Sequence, residues 1–91
     1  MSRTVYLDAR KLKEKQEAHD YLARMLSLPA YYGRNLDALY DCLTDVKDCR
    51  VVLLHHKKAT LSGTYGAKIV KVLEEGARNN TGFGLSGNEV V

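Results

Sequence analysis

The sequence is short of cysteine and of long apolar runs, and each scarcity excludes something. Two cysteines, Cys42 and Cys49, are too few for the disulfide framework of a small secreted domain, and their spacing is not that of a metal knuckle. No apolar run approaches the roughly 20 residues needed to cross a bilayer. No positively charged start followed by an apolar stretch marks a secretory signal. The chain therefore reads as cytoplasmic with reduced thiols, and its Asn79-Asn80-Thr81 sequon carries no weight for glycosylation. At 91 residues it falls below the roughly 100–200 of a typical domain, so residues 1–91 read as a single domain. A core this small leaves little room for a deep substrate cavity, and function is expected on the outer surface.

Neither sign of charge dominates. The chain is 45% hydrophobic and 27% charged, which fits an ordinary globular protein, and it carries 14 Lys and Arg against 11 Asp and Glu, a net +3. The distribution is more telling than the total. Residues 31–49 hold only Arg34 and Lys47 against Asp37, Asp41, Asp45 and Asp48, while both flanks are basic. An acidic island sits in a basic chain, and the net charge alone points to the wrong partner.

Hydrophobic periodicity supplies the elements. Thr4 to Asp8 is β-branched and aromatic, as a first strand would be. Lys11 to Leu26 reads as a helix, with Ala18, Leu22, Met25 and Leu26 on one face, and Pro29 ends it because proline has no N–H to donate. After a loop, Asn35 is a good N-cap for a short helix whose apolar stripe is Leu36, Leu39, Tyr40 and Leu43. Arg50 to His55 is a continuous apolar run of the kind found in a strand buried on both faces. Lys57 to Thr64 reads as a loop, and Gly66 to Arg78 as a helix with Ile69, Val70, Leu73 and Ala77 inward. Thr81 to Val91 is expected to give a marginal third strand, weakened by its glycines. The order β-α-α-β-α-β predicts an α/β fold, a three-stranded parallel sheet with helices packed on it.

Several features look like sites and fail. Gly82 to Gly87 matches G-x-G-x-x-G, but only Asn88 to Val91 follow, too few for the helix that the dinucleotide fingerprint requires. His55 and His56 end the second strand, where neighbours point to opposite faces and do not share a metal. Ser27, Ser62 and Ser86 lack a nucleophile elbow. No catalytic constellation, metal site or cofactor site is expected, and the chain does not read as an enzyme. An alternative function rests on basic residues, with Arg10, Lys11, Lys13 and Lys15 in one cluster and Lys57 and Lys58 in another, as a small nucleic-acid-binding module. Such modules usually interleave aromatics with their cations for base stacking. Here the tyrosines gather near the aspartates instead. Asp37, Asp41 and Asp45 recur every four residues, so like charges stand one helical turn apart and repel. With Tyr31, Tyr32 and Tyr40 nearby, the arrangement suits a contact surface, since tyrosine offers large stiff area with one polar tip.

The stretch Leu28-Pro29-Ala30-Tyr31-Tyr32-Gly33-Arg34-Asn35-Leu36-Asp37-Ala38-Leu39-Tyr40-Asp41-Cys42-Leu43-Thr44 resembles the signature of barstar-type ribonuclease inhibitors. The pattern is long and specific, and the expected element order matches that family's fold over most of the chain. The resemblance implies a cytoplasmic protein, monomeric when free, that plugs the active site of a secreted guanyl-preferring ribonuclease without touching nucleic acid or membrane. By the same resemblance Asp41 would be the main phosphate mimic, Asp37 would pair with a basic residue of the cleft, and Tyr31 would pack on the catalytic histidine. Gly33 and Asn35 would shape the loop and cap, and Ala38 would keep the surface flat. Tyr40 and Thr44 match family contact positions, and Glu75 aligns with an acid on a later helix that joins the interface. The chain departs from the pattern in its basic total, in Arg34 where an acid is common, and in Tyr40 where tryptophan is usual.

Overall fold

Three short β-rich segments, each too small to be stable alone, pair into one sheet, and the helices between them bury its apolar side. The computed structural model describes residues 3–55 and 64–88. Its elements are β1 (Arg3–Asp8), a 3-10 turn (Ala9–Leu12), α1 (Lys15–Met25), α2 (Leu36–Thr44), β2 (Cys49–Leu54), α3 (Tyr65–Asn79) and β3 (Phe83–Asn88). Strand β2 is central and parallel to both neighbours, with Val5 opposite Val51 and Val51 opposite Leu85. The predicted β-α-α-β-α-β order and the parallel three-stranded sheet are therefore both present.

Because partners across parallel strands face the same side, the register sorts the sheet into two faces. Leu7, Cys49, Val51, Leu53 and Phe83 share the inner face and are buried with Ala18, Leu22, Leu39, Leu43, Ile69 and Leu73 of the helices. The opposite face holds Thr4, Tyr6, Arg50, Val52 and Ser86; Arg50 is exposed, Val52 half-buried, and Tyr6 is 58% exposed. The apolar run of β2 is thus fully buried on one face only. Arg50 marks the reason: its guanidinium stays in water and donates to Ser86 Oγ at 3.3 Å.

Two further expectations are corrected. The helix predicted from Lys11 does not begin there. Ala9 and Leu12 sit in a 3-10 turn, whose three-residue repeat puts both on one side, and both are completely buried. The chain then extends at Glu14 before α1 starts. The third strand, expected to be marginal, forms over six residues, because its ladder to β2 needs only backbone groups and Phe83 supplies a buried anchor. The glycine motif lies at the start of and within this strand, which removes it as a strand-turn-helix fingerprint. His55 lies just past β2 at φ 57°, so strand alternation does not govern it. His56, Lys57, Lys58 and Ser62 lie outside the described residues.

Candidate functional site

The signature segment becomes a loop and a helix held at both ends. Leu36 to Thr44 forms α2 because Leu39 and Leu43, one turn apart, are both completely buried, a contribution of roughly 1.5–3 kcal/mol each. Its N-terminus is capped by Asn35, whose Oδ1 accepts from the Ala38 N–H at 2.7 Å while its Nδ2 donates to the Gly33 carbonyl at 3.3 Å. A Cβ on Gly33 would stand 3.3 Å from the Ala38 Cβ, so small residues at both positions allow the loop to lie close against the first turn. Arg34 follows in the left-handed region at φ 53° and donates from Nε to Asp20 Oδ1 of α1 at 2.6 Å. The cation that stands where an acid was expected is therefore spent on tying the loop to α1.

The far end of α2 is closed by Asn80, which follows α3. Its Nδ2 lies 2.8 Å from the carbonyls of Leu43 and Val46, and its Oδ1 accepts from the Gly82 N–H at 2.9 Å. These bonds satisfy carbonyls that a helix end otherwise leaves bare. Helix α3 crosses α2 closely: a Cβ on Gly76 would come within 3.0 Å of the Leu43 side chain. Tyr40 is fixed by the same neighbour, its Oη accepting from Asn79 Nδ2 at 3.0 Å. Glu75 is half-buried and stands one turn before Asn79, on the same side of α3.

Against this frame, the predicted contact residues divide. Asp37, Asp41 and Asp45 are all exposed, and Tyr31 is 85% exposed. Among the described residues the ion pairs are Arg10–Asp8 and Arg34–Asp20, and none involves Asp37 or Asp41. Asp37 also gains from its place in the first turn of α2, where the helix dipole favours an anion. Asp41 has no such support. Thr44 is exposed, but its Oγ1 donates to the Asp41 carbonyl at 2.6 Å. Ala38 is half-buried, and Gly33 and Asn35 are exposed. Tyr31 also lines a shallow groove with Pro29, Cys42, Asp45 and Lys47, and burial together with Asp41 and Asp45 pushes the Cys42 thiol above its ordinary value.

Tyr32 is a correction. Expected on the contact surface beside Tyr31 and Tyr40, it is 4% exposed, and burial pushes its phenol well above the usual range. It points inward to His19, a residue the sequence reading passed over. His19 is fully buried, with Nδ1 2.5 Å from Tyr32 Oη and Nε2 2.6 Å from Tyr65 Oη. Burial holds its imidazole below the ordinary value of 6.5, and the cations of Lys15 and Arg34 act in the same direction. A signal for it existed, since His19 precedes Leu22 and Leu26 by three and seven residues on the buried face of α1.

Two members of the basic cluster of the N-terminal region have partners within the chain. Arg10 is bound to both carboxylate oxygens of Asp8, which holds that carboxyl below its usual range, and Lys11 lies 5.5 Å from the centre of the Tyr21 ring. No group of three or more His, Cys, Asp or Glu able to hold a metal occurs among the described residues, and no helix among them is long and apolar enough to cross a membrane.

Comparison with known proteins identifies the family. A family profile described as "Barstar (barnase inhibitor)" matches residues 2–86. A protein of Bacillus subtilis (strain 168) named "Putative ribonuclease inhibitor YrdF" is 37% identical over 76 residues, covering 80% of this chain and 84% of that protein. With its fold, its signature and nearly its whole length in agreement, the chain belongs to the barstar family.

Proposed function

We propose that the chain inhibits a secreted, guanyl-preferring ribonuclease by seating α2 and the loop before it in the enzyme's substrate cleft. One observation carries this reading: Tyr31, Asp37 and Asp41 stand free on one short segment whose two ends are pinned by Asn35 and Asn80. The family description and the name of the Bacillus relative support it. A cleft built for a polyanion presents preorganised cations. Carboxylates on a stiff helix meet them with little ordering cost, which is where binding free energy is otherwise lost. The mutual repulsion of Asp37 and Asp41 in the free protein is relieved when cations arrive between them. Their local field matters more than the chain's net +3, because charges are screened beyond about 8 Å at physiological salt.

In this reading Asp41 takes the place of the scissile phosphate and meets the catalytic Arg and His. Asp37 pairs with a basic residue of the cleft, and Tyr31 lies on the catalytic histidine and covers the base-binding side. Tyr40, Thr44 and Glu75 form the rim, while Gly33, Asn35 and Ala38 give the loop and first turn their shape. The protein acts as a cytoplasmic monomer, as a binder and not as an enzyme, and contacts no RNA itself.

Replacing Asp41 with alanine tests this directly. Titration calorimetry against a barnase-type ribonuclease should show binding weakened by about 2–4 kcal/mol with the fold unchanged. Interface hot spots begin at about 2 kcal/mol and reach about 4–8 kcal/mol, and the upper extreme comes from the barnase–barstar pair itself. Equal affinity for Asp41→Ala and wild type would remove Asp41 from its role. Failure of the wild-type chain to inhibit any guanyl-preferring ribonuclease, combined with tight RNA retention on a filter, would favour the nucleic-acid alternative.

A further inference from the structure

Among the described residues His19 is the buried side chain that stands outside the apolar and aromatic core residues, and both its nitrogens are engaged by tyrosine hydroxyls from different parts of the chain. Tyr32 belongs to the loop before α2 and Tyr65 begins α3, so the ring on α1 joins three segments at one point. Tyr32 is the immediate neighbour of Tyr31, the most exposed aromatic of the surface, and of Gly33, which packs on Ala38. Tyr65 itself borders a shallow concavity with Lys15, Asn35 and Asp37.

A neutral imidazole carries one donor and one acceptor. One of the two tyrosines must therefore give its O–H to the ring while the other receives the ring's N–H. A proton taken up from solvent turns both nitrogens into donors, so the tyrosine that was donating has to turn its O–H away, accept from the ring instead, and find its own O–H another acceptor. The resulting cation would also be buried without a carboxylate in contact, which is costly. Of the charged groups around it, Lys15 on α1 and Arg34 in the loop oppose the cation. Asp20 on α1 favours it, but is already bonded to Arg34. Tyr65 on α3 carries no charge, and the Cys42 thiol of α2 reaches the trio only through Tyr32.

We propose that His19 is the positioning residue of the inhibitory surface: by holding Tyr32 and Tyr65 together it fixes the Tyr31–Asn35 loop, and its protonation releases that loop and weakens nuclease binding. The inference rests on the inhibitor reading above and adds to it a residue that never touches the partner.

The test compares wild type with His19→Gln, whose amide can donate to one tyrosine and accept from the other but does not titrate. Dissociation rates from a barnase-type ribonuclease are measured from pH 8 to pH 5, over the range in which circular dichroism shows both proteins folded. Any titration of the nuclease's own groups cancels in the ratio of the two rates. That ratio should shift at least tenfold toward faster wild-type release as pH falls, and a ratio constant with pH overturns the proposal. Nuclear magnetic resonance of the free wild-type chain gives a second measurement that does not depend on the variant's folding. The backbone amides of residues 31–35 should titrate with the midpoint of the His19 ring, and amides indifferent to that midpoint also overturn it. Amides that follow the ring in a chain that binds no ribonuclease at any pH overturn the inhibitor reading, and with it the claimed effect on binding.

Discussion

Asn35 shows how much one side chain decides at this surface. Its oxygen caps α2 through the Ala38 N–H and its nitrogen holds the Gly33 carbonyl, so a single residue starts the helix and shapes the loop. Replacing it with alanine leaves a helix N–H without its cap and should cost about 1 kcal/mol of stability. A urea titration checks this by a lower midpoint at unchanged slope. Residues of this kind were legible in the sequence because capping is local chemistry. Asp37 and Asp41 were legible for a similar reason, since a four-residue repeat on a short helix with an apolar stripe elsewhere leaves carboxylates outside. Tyr31 and Tyr32 were not separable. They are adjacent in a loop, where no periodicity says which turns inward, and the turn closed by the Tyr32 N–H onto the Pro29 carbonyl at 3.0 Å is visible only in three dimensions. His19 stayed hidden because a polar ring at a core position needs partners, and its two come from 13 and 46 residues away.

Helices α2 and α3 behave as one packed pair, and the contact is set by Gly76. Its missing side chain lets Leu43 approach, and the Asn79 and Asn80 bonds to Tyr40 and the end of α2 lie just beyond it. Gly76→Ala sets two effects against each other. Alanine in a helix interior gains about 1 kcal/mol over glycine. Forcing a methyl against the buried Leu43 costs roughly 1–3 kcal/mol of overpacking. Packing wins, and the variant should be less stable by about 1 kcal/mol in thermal or urea unfolding. The helical elements were readable from the 3.6-residue period, apart from the 3-10 turn, which replaces the first turn of the predicted α1 in order to bury Ala9 and Leu12 together. Strand β3 was harder to read because glycines hide the alternation that identifies a strand. Its backbone ladder to β2 does not need that alternation.

For the whole molecule, the trio of buried His19 and Tyr32 with half-buried Tyr65 sets limits on stability from both sides of neutrality. His19 is held below its ordinary 6.5, so the folded state prefers the neutral ring. Its contribution is full above that value and is lost as pH falls toward the folded-state midpoint, where the unfolded chain takes up a proton that the native one refuses. Tyr32 and Tyr65 are held above their ordinary 10.0, and Cys42 above its ordinary 9.0. Their contributions are full below those values and are lost as pH rises past them, because the unfolded chain ionises first. Unfolding midpoints measured in urea should therefore form a plateau between about pH 6.5 and pH 9. The acid-side fall near that lower limit should flatten in His19→Gln, while a later fall below about pH 4 remains as Asp8 loses its bond to Arg10.

The central position of β2 also orders events in time. Both β1 and β3 pair with it and not with each other, and β1 finds its partner about half the chain away. A growing chain has thus already emitted the loop and α2 before any strand has a mate. Sheet closure, a distant pairing of the kind that slows folding, sets the moment at which that segment acquires its final outline.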